Sequence, residues 1–403
     1  MIVLNESVTI SMRGVMVVME NELFLDSSIE LKWKALFESN REWLEQTAAE
    51  ADRKGVLNNQ LIDWLIEHEY HMLTLPVEYG GAGCNIKELI MIQSLLGYYD
   101  ESTALSIGWH LGIVGEVFEL GLWSEEMMVQ FAEDVKNGAI TNRIVSESEM
   151  GSPTRGGRPS TNAVHAGDEY IINGIKTFAS MSHRLTHMLV GAYDTEAYAM
   201  GFYYVPADSE GIEIVETWDT LGMRATASHD VIFNDLKINE RYRVEIDKEK
   251  RPNPWLMHIP AVYLGLAQRA LDEAVQFSTT YQPNSLQTPI SELPHIQDKL
   301  AKMEMLMMQS RHFIYHACEM HLEGRTEHLG LTFQLSKHII VNNGLEIIDL
   351  AMRVLGAKSL ERTRILERIL RSMRAGLHNP PMDDAVERNI VTQLLKTHEI
   401  TEN

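Results

Sequence analysis

The sequence predicts a multidomain α+β protein in which a helical N-terminal domain is followed by a middle β-barrel domain and a C-terminal four-helix bundle. Two changes in the spacing of apolar residues predict this order. Apolar residues recur every three or four positions before about residue 137 and again after about residue 247, which is the period of helices packed on a core. Between these regions they form short runs separated by Gly, Asn and Asp, which is typical of strands and turns.

The N-terminal helical domain is predicted over residues 27–137. Trp33, Leu36 and Phe37 lie at helical spacing, and similar groups follow to the end of the domain. Residues 1–26 lack the basic segment and the long apolar core of a signal peptide. We therefore expect them to form a poorly ordered N-terminus.

The middle domain is predicted over residues 138–246 and the C-terminal domain over residues 247–403. Strand-like apolar runs include 170–172, 188–190, 202–205 and 231–233. Asn173-Gly174 follows the first of these runs and predicts a hairpin turn, because both residues tolerate positive φ. After Pro254 the helical period returns over stretches long enough for a bundle.

Composition excludes several classes of function. The net charge of −22 opposes binding to nucleic acid, and no basic stripe interrupts it. No apolar run reaches the ~18 residues of a membrane span. Cys84 and Cys318 lie far apart without CxxC spacing, so neither a metal site nor a disulfide framework is predicted. This cysteine usage favours a cytoplasmic location.

Six stretches, taken in order between about Leu75 and Leu395, resemble the flavin-dependent acyl-CoA dehydrogenases. They are LPVEYGGAG at 75–83, Ser146-Glu147 with Gly151-Ser152, DEYIINGIK at 168–176, LGMR at 221–224, LGLAQRAL at 264–271, and VLG at 354–356 ahead of Arg371. The resemblance implies the fold of that family, FAD held between the middle domain and the helical bundle, and a homotetramer or homodimer.

The resemblance also implies which residues bind the cofactor. They are Ser146, Gly151, Ser152, Phe178, Ser180 and Gly356. Phe178 matches the aromatic position beside the flavin ring, and Ser180 matches the hydroxyl that hydrogen-bonds flavin N5. Such a ring requires a flat apolar wall, and a hydrogen-bond donor at N5 is expected to stabilise the electron-rich reduced flavin. Core packing is the other interpretation of Phe178.

The chain departs from the family where the catalytic base belongs. The position of the usual glutamate aligns with Pro380 or Pro381, and the position used by a minority of members aligns with Trp255. Proline also lacks the N–H that the family's glutamate donates to the thioester carbonyl. Leu256 replaces a substrate-binding arginine, and no arginine lies between 271 and 297 to clamp the FAD pyrophosphate of a neighbouring subunit.

Three residues near the missing glutamate are candidates for the base. His378 carries an imidazole, a side-chain type that accepts protons near neutral pH. Asp383 and Asp384 follow it, although an aspartate there also suits the N-cap of the last helix. The resemblance assigns substrate contacts to His110 and Trp255, with core packing as the alternative for His110. A histidine in this loop also resembles the reduced-flavin monooxygenases of the same fold.

Three functions follow from these observations. The first is an FAD-dependent oxidoreductase that oxidises the Cα–Cβ bond of an acyl-CoA thioester, transfers a hydride to flavin N5 and passes electrons to an electron-transfer flavoprotein. The second is a monooxygenase that receives reduced flavin from a separate flavin reductase and acts on a small aromatic or heterocyclic substrate. The third is a catalytically silent flavin-binding or structural homologue.

Overall fold

The computed structural model describes residues 24–149, 158–247, 249 and 251–401, with side chains up to residue 395. Residues 1–23 of the segment predicted to be poorly ordered lie outside this part of the chain. Within the described part, Phe24 stacks on Tyr315 of a C-terminal helix with ring centroids 4.8 Å apart. The packed portion of the chain therefore includes residues before 27.

Six α-helices form the N-terminal domain. They are α1 (Ser28–Ser39), α2 (Arg41–Lys54), α3 (Asn59–Glu67), α4 (Ile86–Tyr99), α5 (Glu101–Leu120) and α6 (Glu125–Lys136). Capping boxes fix two of the starts, one formed by Ser27 with Glu30 and one by Asn85 with Glu88. Because α5 packs against both the first strand and the first C-terminal helix, it borders the other two domains.

Within the described residues, eight strands form the middle domain. They are β1 (Thr141–Ile144), β2 (Asn162–Ala166), β3 (Glu169–Ala179), β4 (His187–Asp194), β5 (Ala199–Pro206), β6 (Ile212–Val215), β7 (His229–Asn239) and β8 (Arg243–Val244). Their order is β6-β7-β3-β2-β4-β5-β8, with β1 added parallel to β4. Over the described residues no pairing joins β6 to β8, so the predicted barrel is a mixed sheet with two end strands.

The predicted hairpin turn at Asn173-Gly174 is wrong, because both residues lie inside β3. A register shift between β3 and β7 falls at this point. Gly174 has a φ of 148°, and a Cβ there would lie 2.4 Å from the Thr161 hydroxyl. Glycine is thus required at position 174 because the strand bulges there and the backbone lies close to Thr161, and not because the chain turns.

Five α-helices form the C-terminal domain. They are α7 (His258–Thr280), α8 (Pro294–Leu322), α9 (Leu329–Leu355), α10 (Ile365–Ala375) and α11 (Asp383–Thr401), of which α10 is the shortest. The central helix is α7, which packs on α4, α5, α8 and α9. At Gly265 a Cβ would lie 2.1 Å from the carbonyl oxygen of Ser94, so α7 and α4 touch backbone to backbone. None of the described helices is long and apolar enough to cross a membrane.

Candidate functional site

The end of β3 exposes an aromatic ring. Phe178 has a left-handed φ of 60°, which is rare for a bulky residue. Its surface is 63% exposed, so the core-packing interpretation of this residue is wrong. The ring meets Trp218 edge-on, with centroids 5.9 Å apart. A strained backbone therefore presents a two-ring aromatic surface at the edge of the sheet.

Trp218 lies between β6 and β7, and the sequence analysis does not identify it as a site residue. Nδ1 of His229 accepts hydrogen bonds from the backbone N–H groups of Thr217 and Trp218, at 3.1 and 3.2 Å. The indole Nε1 of Trp218 donates to the carbonyl of Met223 at 3.1 Å. These contacts hold the indole beside Phe178. The available signal was a tryptophan just ahead of the LGMR stretch.

Ser180 lies two residues after Phe178 and begins a chain of buried hydroxyl groups. Its Oγ lies 2.9 Å from Oγ of Ser228, which lies 2.8 Å from Oγ1 of Thr226. Thr226 in turn donates to the carbonyl of Met223 at 3.0 Å. The structure thus places the predicted flavin-contacting hydroxyl at the end of a hydrogen-bonded chain that crosses from β3 to β7.

Ser146 is half-buried directly after β1. Its carbonyl accepts the N–H of Thr177 at 2.8 Å, which ties the end of β1 to β3. Beside it, Glu147 and Lys176 form a buried ion pair at 2.6 Å. Burial alone would raise the pKa of the Glu147 carboxyl, but hydrogen bonds, first of all from Lys176, lower it to about 2. The other predicted residues of this segment, Gly151 and Ser152, lie outside the described residues.

A cleft of about 520 Å³ opens between the end of α9 and α10. Gly356 lines it with a φ of 60°, together with Arg353 and Arg374. Nε of Arg353 donates to Asp349 at 2.7 Å. Asp349 lines the cleft as well, so the lining carries two arginines and one carboxylate, and that carboxylate is paired with Arg353.

His110 is not in contact with any open site, so its predicted substrate role is wrong. The residue is fully buried within α5. Its Nε2 donates to the carbonyl of His71 at 3.0 Å, and its Nδ1 accepts the N–H of Thr141 at 3.1 Å. Both ring nitrogens are therefore used to join α5 to the neighbouring backbone, as the core-packing alternative expected.

Trp255 lies at the start of the C-terminal domain and faces α5. Its ring packs against Gly115, where a Cβ would lie 2.3 Å from the indole, and its Nε1 donates to Glu119. One turn later His258 is fully buried, and neither of its ring nitrogens has a hydrogen-bond partner among the described residues. Both side chains fill the space between α5 and α7. The substrate contact of Trp255 stays a prediction.

The three candidate bases lie in or directly after the loop between α10 and α11, and their side chains do not converge. His378 is exposed. Asp383 faces α9, with Oδ1 3.0 Å from Nδ1 of His338. Burial alone would raise the pKa of Asp383, but its partners on α9 hold it below the usual value. Asp384 is exposed and accepts a hydrogen bond from Arg388 at 3.1 Å.

A further carboxylate lies near this loop that the sequence analysis does not identify. Glu101, at the start of α5, is fully buried and accepts a hydrogen bond from Ser372 at 2.8 Å. Nε of Arg368 lies 3.3 Å from the same carboxylate. Burial raises the pKa of Glu101. The neighbouring Tyr263 donates its hydroxyl hydrogen to the side chain of Asn379 in the loop.

Relatives of known sequence agree with this architecture along almost the whole chain. The chain is 41% identical over 379 residues to the putative acyl-CoA dehydrogenase YdbM of Bacillus subtilis, covering 93% of this chain and 100% of the relative. It is 23% identical over 383 residues to the 3-(aryl)acrylate reductase of Clostridium sporogenes, again covering 93% and 100%.

Solved structures share the fold. Butyryl-CoA dehydrogenase from Megasphaera elsdenii superposes with a TM-score of 0.82 at 18% identity, over 92% of this chain and 99% of that chain. FMN-bound TdsC from Paenibacillus sp. A11-2 gives a TM-score of 0.82 at 19% identity, over 91% and 98%. The neighbours of this fold are flavoproteins, which is consistent with the expected FAD.

Family models divide the chain as the structure does. The N-terminal, middle and C-terminal domains of acyl-CoA dehydrogenase match residues 34–126, 143–236 and 257–377. The order of helices, sheet and helices, the exposed Phe178 and the 41% identical relative all point the same way. The chain therefore belongs to the acyl-CoA dehydrogenase family.

Proposed function

We propose that the protein is an FAD-dependent oxidoreductase that removes hydrogen across the Cα–Cβ bond of an acyl-CoA thioester. The observation that carries this proposal is the exposed Phe178, held in a left-handed conformation beside the Ser180 hydroxyl. Exposing a large apolar ring at a strained position costs free energy, so a ligand that covers the ring explains the arrangement.

The described residues fit the cofactor at two places. Phe178, with Trp218 meeting it edge-on, offers an apolar aromatic surface to a flavin ring, and Ser180 offers a hydroxyl. We propose that Gly356 and Arg374, in the cleft beside the Arg353–Asp349 pair, contact an anionic moiety such as a pyrophosphate. When bound, FAD accepts the two electrons that leave the substrate. In this family the site lies between subunits, so we propose a homotetramer or homodimer.

We propose His378 as the proton acceptor that replaces the missing glutamate. Asp383 is held by His338 and other partners on α9, and Asp384 pairs with Arg388 on the outer surface of α11. The exposed His378 places an imidazole, a side chain that can accept a proton, in the loop where the family carries its base. Variants at all three positions would separate these candidates.

An anaerobic titration tests the proposal. The purified protein, reconstituted with FAD, is mixed with acyl-CoAs of several chain lengths while the visible absorbance of the flavin is followed. We expect one chain-length class to bleach it, and an electron-transfer flavoprotein to reoxidise it. Bound flavin that no thioester bleaches would contradict the dehydrogenase proposal. Failure to bind flavin would leave a catalytically silent homologue, which the missing arginine between 271 and 297 would suit.

A second function is favoured by Pro380 and Pro381. Neither proline has an N–H to donate to a thioester carbonyl, and His378 lies two residues before the first of them. We propose as the alternative a monooxygenase that takes reduced flavin from a reductase and acts on a small aromatic or heterocyclic substrate. Oxygen consumption that requires both reduced flavin and such a substrate would support it.

The location of the protein is also a proposal. Cys84 and Cys318 are both buried and unpaired with each other. Free cysteines are typical of a reducing compartment, so we place the protein in the cytoplasm.

A further inference from the structure

The hydroxyl chain that begins at Ser180 has a direction. Each serine or threonine hydroxyl carries one hydrogen to donate and two lone pairs that accept. Oγ1 of Thr226 contacts two oxygens, the carbonyl of Met223 at 3.0 Å and Oγ of Ser228 at 2.8 Å. A carbonyl oxygen can only accept, so the single hydrogen of Thr226 goes to Met223.

The remaining hydrogens follow from this first one. Since Thr226 has no hydrogen left for Ser228, the Ser228 hydroxyl donates to Thr226 over 2.8 Å. Since Ser228 has then spent its own hydrogen, Ser180 donates to Ser228 over 2.9 Å. The Ser180 oxygen therefore presents lone pairs, and no hydrogen, to any group outside the hydroxyl chain, so it is an acceptor and not the donor that the resemblance implies.

The surroundings hold this arrangement in place. Ser228 and Thr226 are 4% and 2% exposed, so water has little access to substitute for either hydroxyl. The backbone N–H of Met181 donates to the carbonyl of Thr226 at 2.9 Å, which joins the two strand ends beside the chain. The direction of the hydrogen bonds is thus built into the fold.

We propose that this chain makes Ser180 a hydrogen-bond acceptor toward flavin N5 and thereby favours the reduced cofactor. The inference rests on the proposed function. Oxidised N5 carries only a lone pair, whereas N5 of flavin reduced by two electrons and a proton carries N–H. An acceptor at Ser180 pairs with the N–H and faces the lone pair unfavourably. The chain therefore shifts the two-electron reduction potential to a more positive value than a freely rotating serine would give.

The test is the reduction potential of the FAD-loaded protein, measured by equilibration with redox dyes. In Ser228→Ala the Ser180 hydroxyl loses its acceptor and can rotate to donate to oxidised N5, so we expect the potential to become more negative. Ser182→Ala is the matched control, because Ser182 is also buried but donates to the carbonyl of Ala227, outside the chain. Its potential should equal that of the unmodified protein.

Thr226→Val supplies a second route to the same result. Without Oγ1 at position 226, Ser228 can donate to Ser180, which then donates toward N5, so this variant should also have a more negative potential. A more negative reduction potential in Ser228→Ala or Thr226→Val, with no change in Ser182→Ala, supports the inference. If Ser228→Ala and Thr226→Val both have the same reduction potential as the unmodified protein, the inference is overturned and the proposed function stays intact. Failure of the unmodified protein to bind FAD would overturn both.

Discussion

At the scale of single residues, two buried histidines depend on staying neutral. His110 donates from Nε2 to the carbonyl of His71 and accepts at Nδ1 from the N–H of Thr141, so a proton on Nδ1 would place two donors against each other. Burial is the main reason that the pKa of His110 falls to about 3. Burial alone lowers the pKa of His258 to about 3 as well.

We expect the protein to lose stability as the pH falls from about 6.5 toward 3. In this window the unfolded state binds protons on both histidines, because an unperturbed imidazole has a pKa of about 6.5. The folded state binds them only near the lowered pKa of about 3. Their contribution is therefore complete above pH 6.5 and declines by about 1.4 kcal/mol per pH unit for each histidine. Urea denaturation between pH 7 and pH 5 measures this slope.

Two variants test whether the buried histidines cause this dependence of stability on pH. His258→Phe removes one of the two histidines. It should reduce the slope of stability against pH by about 1.4 kcal/mol per pH unit, the contribution of one proton. His295→Asn changes an exposed histidine on α8 and should leave the slope unchanged. The prediction is wrong if His258→Phe and the unmodified protein lose stability at the same rate.

At the scale of elements, the helices and strands could be predicted because their patterns are local. The periods around Trp33 and after Pro254 identify helices, and the runs near 170–172 and 231–233 lie within β3 and β7. The hairpin turn predicted at Asn173-Gly174 was wrong because Gly174 lies in a β-bulge and packs against Thr161. A local sequence pattern does not encode that contact.

The candidate site was predictable only in part, for the same reason. The resemblance identified Phe178 and Ser180, which lie in one strand end. The hydroxyl chain joins Ser180 to Ser228 across 48 positions, and the Trp218 ring is placed by His229 of another strand. Hydrogen bonds between distant segments depend on strand register, which propensities and motifs do not specify. The buried Glu101 was missed because its partners belong to α10.

The contact between α5 and the start of the C-terminal domain depends on one glycine. We expect Gly115→Ala to destabilise the protein by about 1–3 kcal/mol, because the added Cβ would lie 2.3 Å from the Trp255 ring and force it out of place. The loss is read from the shift in the urea denaturation midpoint. In a Trp255→Leu background the same change should cost much less, since the smaller side chain leaves room. Additive effects in the double variant would rule out this steric explanation.

At the scale of the whole molecule, the segment before β7 holds the three domains together. The N–H of Met223 donates to Ser372 of α10 at 3.3 Å, and Nε of Arg224 donates to the carbonyl of Asp52 in α2 at 2.9 Å. This segment also carries Trp218, so the aromatic wall of the candidate flavin site is positioned by contacts to both helical domains.

Arg371 also joins α10 to α2 and to the segment before β7, and its replacement should destabilise the protein. Its guanidinium makes two hydrogen bonds to the buried carboxylate of Asp52, at 3.1 and 2.6 Å. It also donates to the carbonyl of Leu221 and to the carboxylate of Glu367 within α10. We expect Arg371→Met to lower the free energy of unfolding by about 3 kcal/mol, because it leaves the Asp52 charge buried without its partner. Urea denaturation followed by far-ultraviolet circular dichroism measures the loss.

Two further variants decide whether the ion pair is the cause. Arg388→Met breaks an exposed pair with Asp384 within α11 and should cost less than about 1 kcal/mol. Asp52→Asn combined with Arg371→Met removes the uncompensated charge and should recover much of the stability lost in Arg371→Met alone. If the double variant is no more stable than Arg371→Met, the arginine acts through its other contacts, with Glu367 and Leu221, and not through the charge of Asp52.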